Sequence, residues 1–138
     1  MKTIKEIAVI ERVPLSRIAD MLCSAFDPVP HAVRYWATIE RYEEPAALAI
    51  RSDANAIYRY MDYPVNEGGA IILKLSEPDN AEEEKKEMRL DLEAIQRGAQ
   101  IMLREYPKHW AAFRSENDDI ETADVFIQCC VFGEIVYG

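Results

Sequence analysis

The sequence predicts a single-domain α+β fold: a small antiparallel sheet of about three strands packed against an N-terminal helix and a C-terminal helical group. Three observations predict it. Apolar residues recur at helical spacing in 14–26 and again in 90–103, and β-branched and aromatic residues crowd 35–42, 56–63 and 70–75. Val125 to Tyr137 is a nearly unbroken apolar run, which a soluble chain has to bury and which therefore reads as the central core element. A chain of 138 residues needs only one domain. At that size folding buries roughly 65–70% of the unfolded surface without metal or disulfide.

Taken in order, Thr3 and Glu6 have capping-box spacing, but IAVI within 3–13 suits a strand equally, so that segment stays open. Leu15, Ile18, Leu22, Ala25 and Phe26 then form one helical stripe, with Ser16 as a candidate cap and Asp27-Pro28 with Pro30 as the stop. Tyr35 to Tyr42 reads as a strand closed by Glu43-Glu44-Pro45. Ala56–Tyr63 and Ala70–Leu75 read as the arms of a hairpin around 56–75, with Gly68-Gly69 supplying the positive φ of its loop. Ser76 to Glu87 holds six acidic and two basic residues and nothing apolar larger than alanine, so 76–87 is expected to be a solvated acidic connector with a helical end.

Leu92, Ile95, Ala99, Met102 and Leu103 mark the clearest helix, with Asp91 as N-cap and Leu90 against Ile95 as a staple. Gly98 inside it costs about 1 kcal/mol relative to alanine and predicts that another element passes close by. Tyr106-Pro107 breaks this helix, and a short one follows with Trp110 and Phe113 inward. Asn117-Asp118-Asp119 turns the chain, and Asp119 or Thr122 can cap the final element. In that element Asp124, Gln128 and Glu134 fall on one polar arc of a helix, but they also share the parity of a strand. The length of the run favours the helix.

Composition narrows the function classes. The 25 acidic against 16 basic residues give a net charge of −9, which repels phosphate backbones and argues against direct nucleic-acid binding while suiting a basic partner. Three cysteines, two of them adjacent, fit neither a disulfide framework nor a zinc site and read as reduced core residues in a cytoplasmic protein. No apolar run reaches the length of a membrane span. No cofactor or metal is expected: His31 and His109 have no ligand-spaced companions, and Gly68-Gly69 lacks the helix and lysine of a phosphate loop.

Two sets of residues are candidates for a site. Tyr35, Trp36, Tyr58 and Tyr60 can line a stacking surface, with Arg34, Arg41, Arg51 and Arg59 as the basic groups that a nucleotide signal would require. Glu116, Asp118, Asp119 and Glu121, continuing to Asp124, form the sharpest charge cluster. With His109 it offers acid–base groups, although a solvated turn and helix cap explain the same residues. Acidic segments 77–87 and 116–124 would also permit mimicry of DNA phosphates if they shared a face.

Several stretches together resemble a family of small proteins of unassigned activity that recur in bacteriophages, prophages and plasmids. They are SRIADMLCSAF (16–26), YWATIERYEEP (35–45), DYPVNEGGAI (62–71), LDLEAIQRGAQIM (90–102) and the segment from Tyr106 to Gly138. Where similar sequences often carry glycines after the first helix, this one has Asp27-Pro28-Val29-Pro30-His31. The resemblance implies a mobile-element setting and carries over no catalytic residue. The resulting expectation is a non-enzymatic accessory protein that binds a host protein and inhibits a defence system such as CRISPR interference. A protein that sequesters a small nucleotide is the alternative and a small carboxylate enzyme the third reading, with self-association through an apolar face left open.

Overall fold

The computed structural model describes residue 6 and residues 10–26, 33–53, 56–117 and 119–138, the side chains of 56–58 aside. Helix α1 (Leu15–Ala25) leads into a short helical turn, α2 (Val33–Trp36), and strand β1 (Ala37–Glu43). A 3-10 helix (Ala56–Val65) precedes strand β2 (Ala70–Leu75), and the short exposed helix α3 (Ala81–Lys85) precedes strand β3 (Met88–Leu90). Three helices complete the chain: α4 (Leu92–Glu105), α5 (Pro107–Arg114) and α6 (Ile120–Phe132). The sheet is antiparallel in the order β1-β2-β3, with Ile71 opposite both Tyr42 and Leu90 and Leu73 opposite both Ile39 and Met88. A bulge interrupts β1 between Ile39 and Arg41.

The α+β class and the strand at 70–75 are as the sequence predicts; the hairpin around 56–75 is not. Its first arm is the 3-10 helix, and the third strand is Met88–Leu90. At three residues per turn Tyr60 and Tyr63 come onto one edge, where their rings meet at 5.5 Å. Strand alternation would also have left Asp62 without the backbone N–H of Ser52, which it accepts at 3.0 Å from a buried position. Tyr60 and Tyr63, which argued for a strand here, pack on a helix instead. Glycine does serve the turn into β2, where Gly68 has φ +86°.

Smaller corrections follow the same physics. The strand expected from Tyr35 starts at Ala37, because 33–36 close a helical turn. Helix α1 begins directly after Pro14 with no side-chain cap, which leaves Ser16 inside its first turn. Asp91 caps α4 through the N–H of Ala94 at 3.0 Å, and Asp119 caps α6 through the N–H of Thr122 at 2.9 Å. Residues 122–137 are helical only as far as Phe132; Gly133 in the left-handed conformation ends α6, and the tail turns back. The segment 3–13 lies largely outside the described residues.

Helix α6 is the interior of the molecule. Thr122, Ala123 and every residue from Val125 to Cys130 are buried, and α6 contacts α1, α4, α5 and β3. A helix apolar nearly all round is one that has neighbours nearly all round. The far face of the sheet carries ions instead of helices: Glu87, Arg41, Glu43, Arg89 and Asp91 form a continuous chain of ion pairs across the strands. Beneath it Ile72, paired with both Arg41 and Arg89, is only 2% exposed, screened by their alkyl stems.

Gly98 is where α4 meets α6. A Cβ there would sit 2.3 Å from Cys130 Sγ and 2.8 Å from its Cα, so the glycine is required by the close approach of two backbones. Gly98→Ala gains about 1 kcal/mol of helix propensity and loses more to overpacking, since the atoms it meets include main chain that cannot swing aside. The expected outcome in urea denaturation is a net loss of about 2 kcal/mol. A neutral or stabilised variant would show that the helices are free to separate.

Candidate functional site: an aromatic and acidic cleft

The site grows out of two polar residues in an otherwise apolar helix. Asp124 and Gln128, one helical turn apart on α6, face the C-terminal tail and Trp36; Asp124 is half-buried and Gln128 is 0% exposed. A buried amide has to find its hydrogen bonds inside the protein. The Gln128 Nε2 group donates to Asp124 Oδ2 at 3.1 Å and to the Tyr137 carbonyl at 2.9 Å, while its Oε1 accepts from the backbone N–H groups of Val136 and Tyr137, both at 2.8 Å. Tyr106 Oη accepts the N–H of Ile135 at 3.0 Å and secures the tail one residue earlier.

Trp36 closes the arrangement. Its indole N–H donates to Asp124 Oδ1 at 2.7 Å, its ring lies parallel to that of Tyr137 at 5.6 Å, and it meets Phe132 at 5.1 Å. Between the helical turn and the tail lies a cleft of about 640 Å³, lined by Tyr35, Trp36, Glu77, Asp124, Val136, Tyr137 and Gly138. Tyr35 is 77% exposed, and Val136 and Tyr137 also reach solvent. Among the described residues the lining therefore combines aromatic and apolar surface with two side-chain carboxylates and has no lysine, arginine or histidine. Burial, only partly offset by the donors Trp36 and Gln128, raises the Asp124 pKa, and the charge of Glu121 adds to the rise.

Of the residues the sequence nominated, the structure brings Tyr35 and Trp36 together here and sends Tyr60 elsewhere. Tyr60 stacks on Tyr42 at 4.9 Å beside Tyr63, near the far end of β1, about 20 Å of strand from Trp36. The side chain of Tyr58, together with His31 and Asp118, lies outside the described residues. The four arginines do not converge on the cleft. Arg34 is directed at the Phe26 carbonyl, Arg41 is held in the ion chain of the sheet, and Arg51 and Arg59 lie near Asp62 and Tyr63 respectively.

The acidic cluster is dispersed in the same way: Glu116 occupies a left-handed turn (φ 60°) 3.9 Å from Arg17, Asp119 is the α6 cap and Glu121 points outward from its first turn. His109 Nδ1 pairs with Thr122 Oγ1 at 2.9 Å. Among the described residues, no three His, Cys, Asp or Glu side chains gather in an arrangement that could hold a metal ion. Comparison with protein-family models, curated proteins and solved structures found no match. Among the described residues no helix is long and apolar enough to cross a membrane.

A second polar knot lies across the molecule. Asp62 and Asp20 accept the backbone N–H groups of Ser52 and Asp53, the Ser52 hydroxyl donates to Asp20, and Asn66 clamps both the N–H and the C=O of Ile50 at 2.8 Å. These groups hold the 50–53 loop. Burial raises the Asp62 and Cys23 pKa values and lifts the Cys129 thiol to about 12, so neither cysteine is poised as a nucleophile. Sequence reasoning missed Glu77, Val136, Tyr137 and the role of Gln128. The one available signal was a glutamine inside an apolar run, which demands partners from somewhere.

Gln128→Leu keeps the volume and removes the latch, leaving two tail N–H groups without acceptors. Denaturation should show a loss of about 2–3 kcal/mol, and amide exchange at Val136 and Tyr137 should lose its protection; retained protection would mean that the ring stack alone holds the tail. The folded chain binds the Asp124 proton more tightly than the unfolded chain. Stability from this group is therefore complete below the ordinary aspartate value of 3.8 and is lost as pH rises through the raised one. The stability advantage of the native protein over Asp124→Asn should accordingly shrink as pH rises from 3.8 toward neutrality; a constant difference would place the carboxylate in bulk-like solvent.

Proposed function

We propose that the chain is a non-enzymatic accessory protein of a phage or other mobile element that acts in the host cytoplasm by binding a host protein with a basic surface. Inhibition of a defence system such as CRISPR interference is the role this reading favours. The observation that carries the reading is the cleft: it presents aromatic surface and two side-chain carboxylates, with no cation in its lining among the described residues. Elsewhere, in the ion chain over the sheet, arginines and carboxylates are matched within the molecule. The net charge of −9 acts in the same direction at longer range, because it steers basic partners in and keeps phosphates out.

The rival readings lose support from the same geometry. A nucleotide would place phosphates against Glu77 and Asp124 with no arginine in the lining. A carboxylate enzyme would need His109 and the acids of 116–124 to share a substrate, yet His109 is bonded to Thr122 and Asp119 to the helix terminus.

Immobilised protein in host lysate should retain one basic protein at physiological salt and release it at about 0.5 M, where surface charge is screened within a few ångströms. Glu77→Lys should abolish the retention. Loss of all partners, together with a higher melting temperature on addition of a nucleotide, would replace this reading with the ligand-binding one.

A further inference from the structure

Asp124 is a half-buried carboxylate served only by neutral donors. Each of its oxygens accepts one N–H, Oδ1 from Trp36 and Oδ2 from Gln128, and among the described residues no cation pairs with it. The remaining lone pairs are not claimed by these bonds. The neighbouring charges are unfavourable, since Glu121 raises the Asp124 pKa and Glu77 shares the cleft. Arg34, next to Tyr35 in sequence, points two of its three donating nitrogens, Nε and Nη2, at the Phe26 carbonyl, each at 3.4 Å.

We propose that the cleft is an arginine-binding site, in which a guanidinium from the partner lies against the exposed rings of Tyr35 and Tyr137 and pairs with Asp124 and Glu77. This rests on the basic-partner reading above and names the group that is recognised. A planar guanidinium fits this lining better than an ammonium does: it stacks on tyrosine, it presents several donors in one plane to a carboxylate, and it sheds water more easily. The volume of about 640 Å³ leaves room for the alkyl stem and adjoining main chain, so the arginine arrives on a peptide segment. Phosphate is the wrong ligand for a lining that already carries two unneutralised carboxylates.

The test uses the full chain and acetyl-Gly-Arg-Gly-amide as the probe, followed by NMR at the Trp36 indole N–H, whose acceptor is Asp124. The expected result is a saturable shift with a Kd on the order of 1 mM. The citrulline peptide, isosteric but uncharged, should bind at least about tenfold more weakly, and the lysine peptide should fall between the two. Tyr35→Ala and Glu77→Gln, both at exposed positions, should each weaken the arginine peptide by about two- to fivefold, and Glu77→Gln should do so with the melting temperature unchanged. Absence of a shift up to about 20 mM, or an equal shift with citrulline, overturns the site; equal binding of lysine overturns the preference for arginine. If the peptide fails while the immobilised protein still retains its basic partner, the arginine site falls and the broader reading stands. If the peptide binds and no partner is retained, the site stands and the host-protein reading falls.

Discussion

The structure depends on the near-complete burial of one helix. From Thr122 to Cys130 only Asp124 escapes burial, and it is itself half-buried. That requires neighbours on every side. Helix α4 can come close enough only because Gly98 has no side chain where Cys130 passes, and α1 and β3 complete the surround. Burying a large side chain such as Phe126 contributes about 2–3 kcal/mol, so several such residues on one helix make its placement decisive for the whole domain.

The same constraint builds the cleft. A helix buried all round cannot leave a glutamine unbonded, because an orphaned buried polar group costs about 1–3 kcal/mol. Gln128 therefore recruits the backbone of Val136 and Tyr137, and this folds the tail back after Gly133. The returning tail brings Tyr137 parallel to Trp36, and Trp36 in turn satisfies Asp124. The aromatic wall, the tail wall and the acidic floor thus arise from satisfying two polar residues of the core element. Side chains that complete the core, Trp36 and Asp124, thus also line the cleft.

How far this was legible in the sequence follows from how local each cause is. Helix α4, its Asp91 cap and the close approach at Gly98 could be read because period, cap and glycine all lie within one segment. The hairpin at 56–75 was misread because aromatic residues favour strands only when a pleated surface awaits them, and here Tyr60 and Tyr63 had each other and Tyr42. For the site, pairing Trp36 with Tyr35 was readable from adjacency, but Tyr60 was carried away by that same error. Tyr137 and Glu77 were not readable, since what joins them to Trp36 is contact between positions far apart in the chain. The acidic cluster at 116–124 looked like chemistry because charges adjacent in sequence were taken to be adjacent in purpose. Among its described residues Asp124 alone lines the cleft, while Asp119 serves the helix terminus and Glu121 faces outward.

Charge separates the two faces of this molecule more sharply than shape does. On the sheet, arginines lie between carboxylates, so Arg41 and Arg89 are held in their charged forms and Glu87 is pulled below the usual glutamate range by Arg41. Such a surface already carries its own counter-charges, and a charged partner gains little by displacing them. In the cleft the balance is different: burial raises the Asp124 pKa against two neutral donors, so its charged form is less well compensated there than in water. On the proposed reading, a net-acidic protein would select its partner at one place, because a partly desolvated carboxylate beside aromatic rings makes a cation worth more than it is on an open acidic surface.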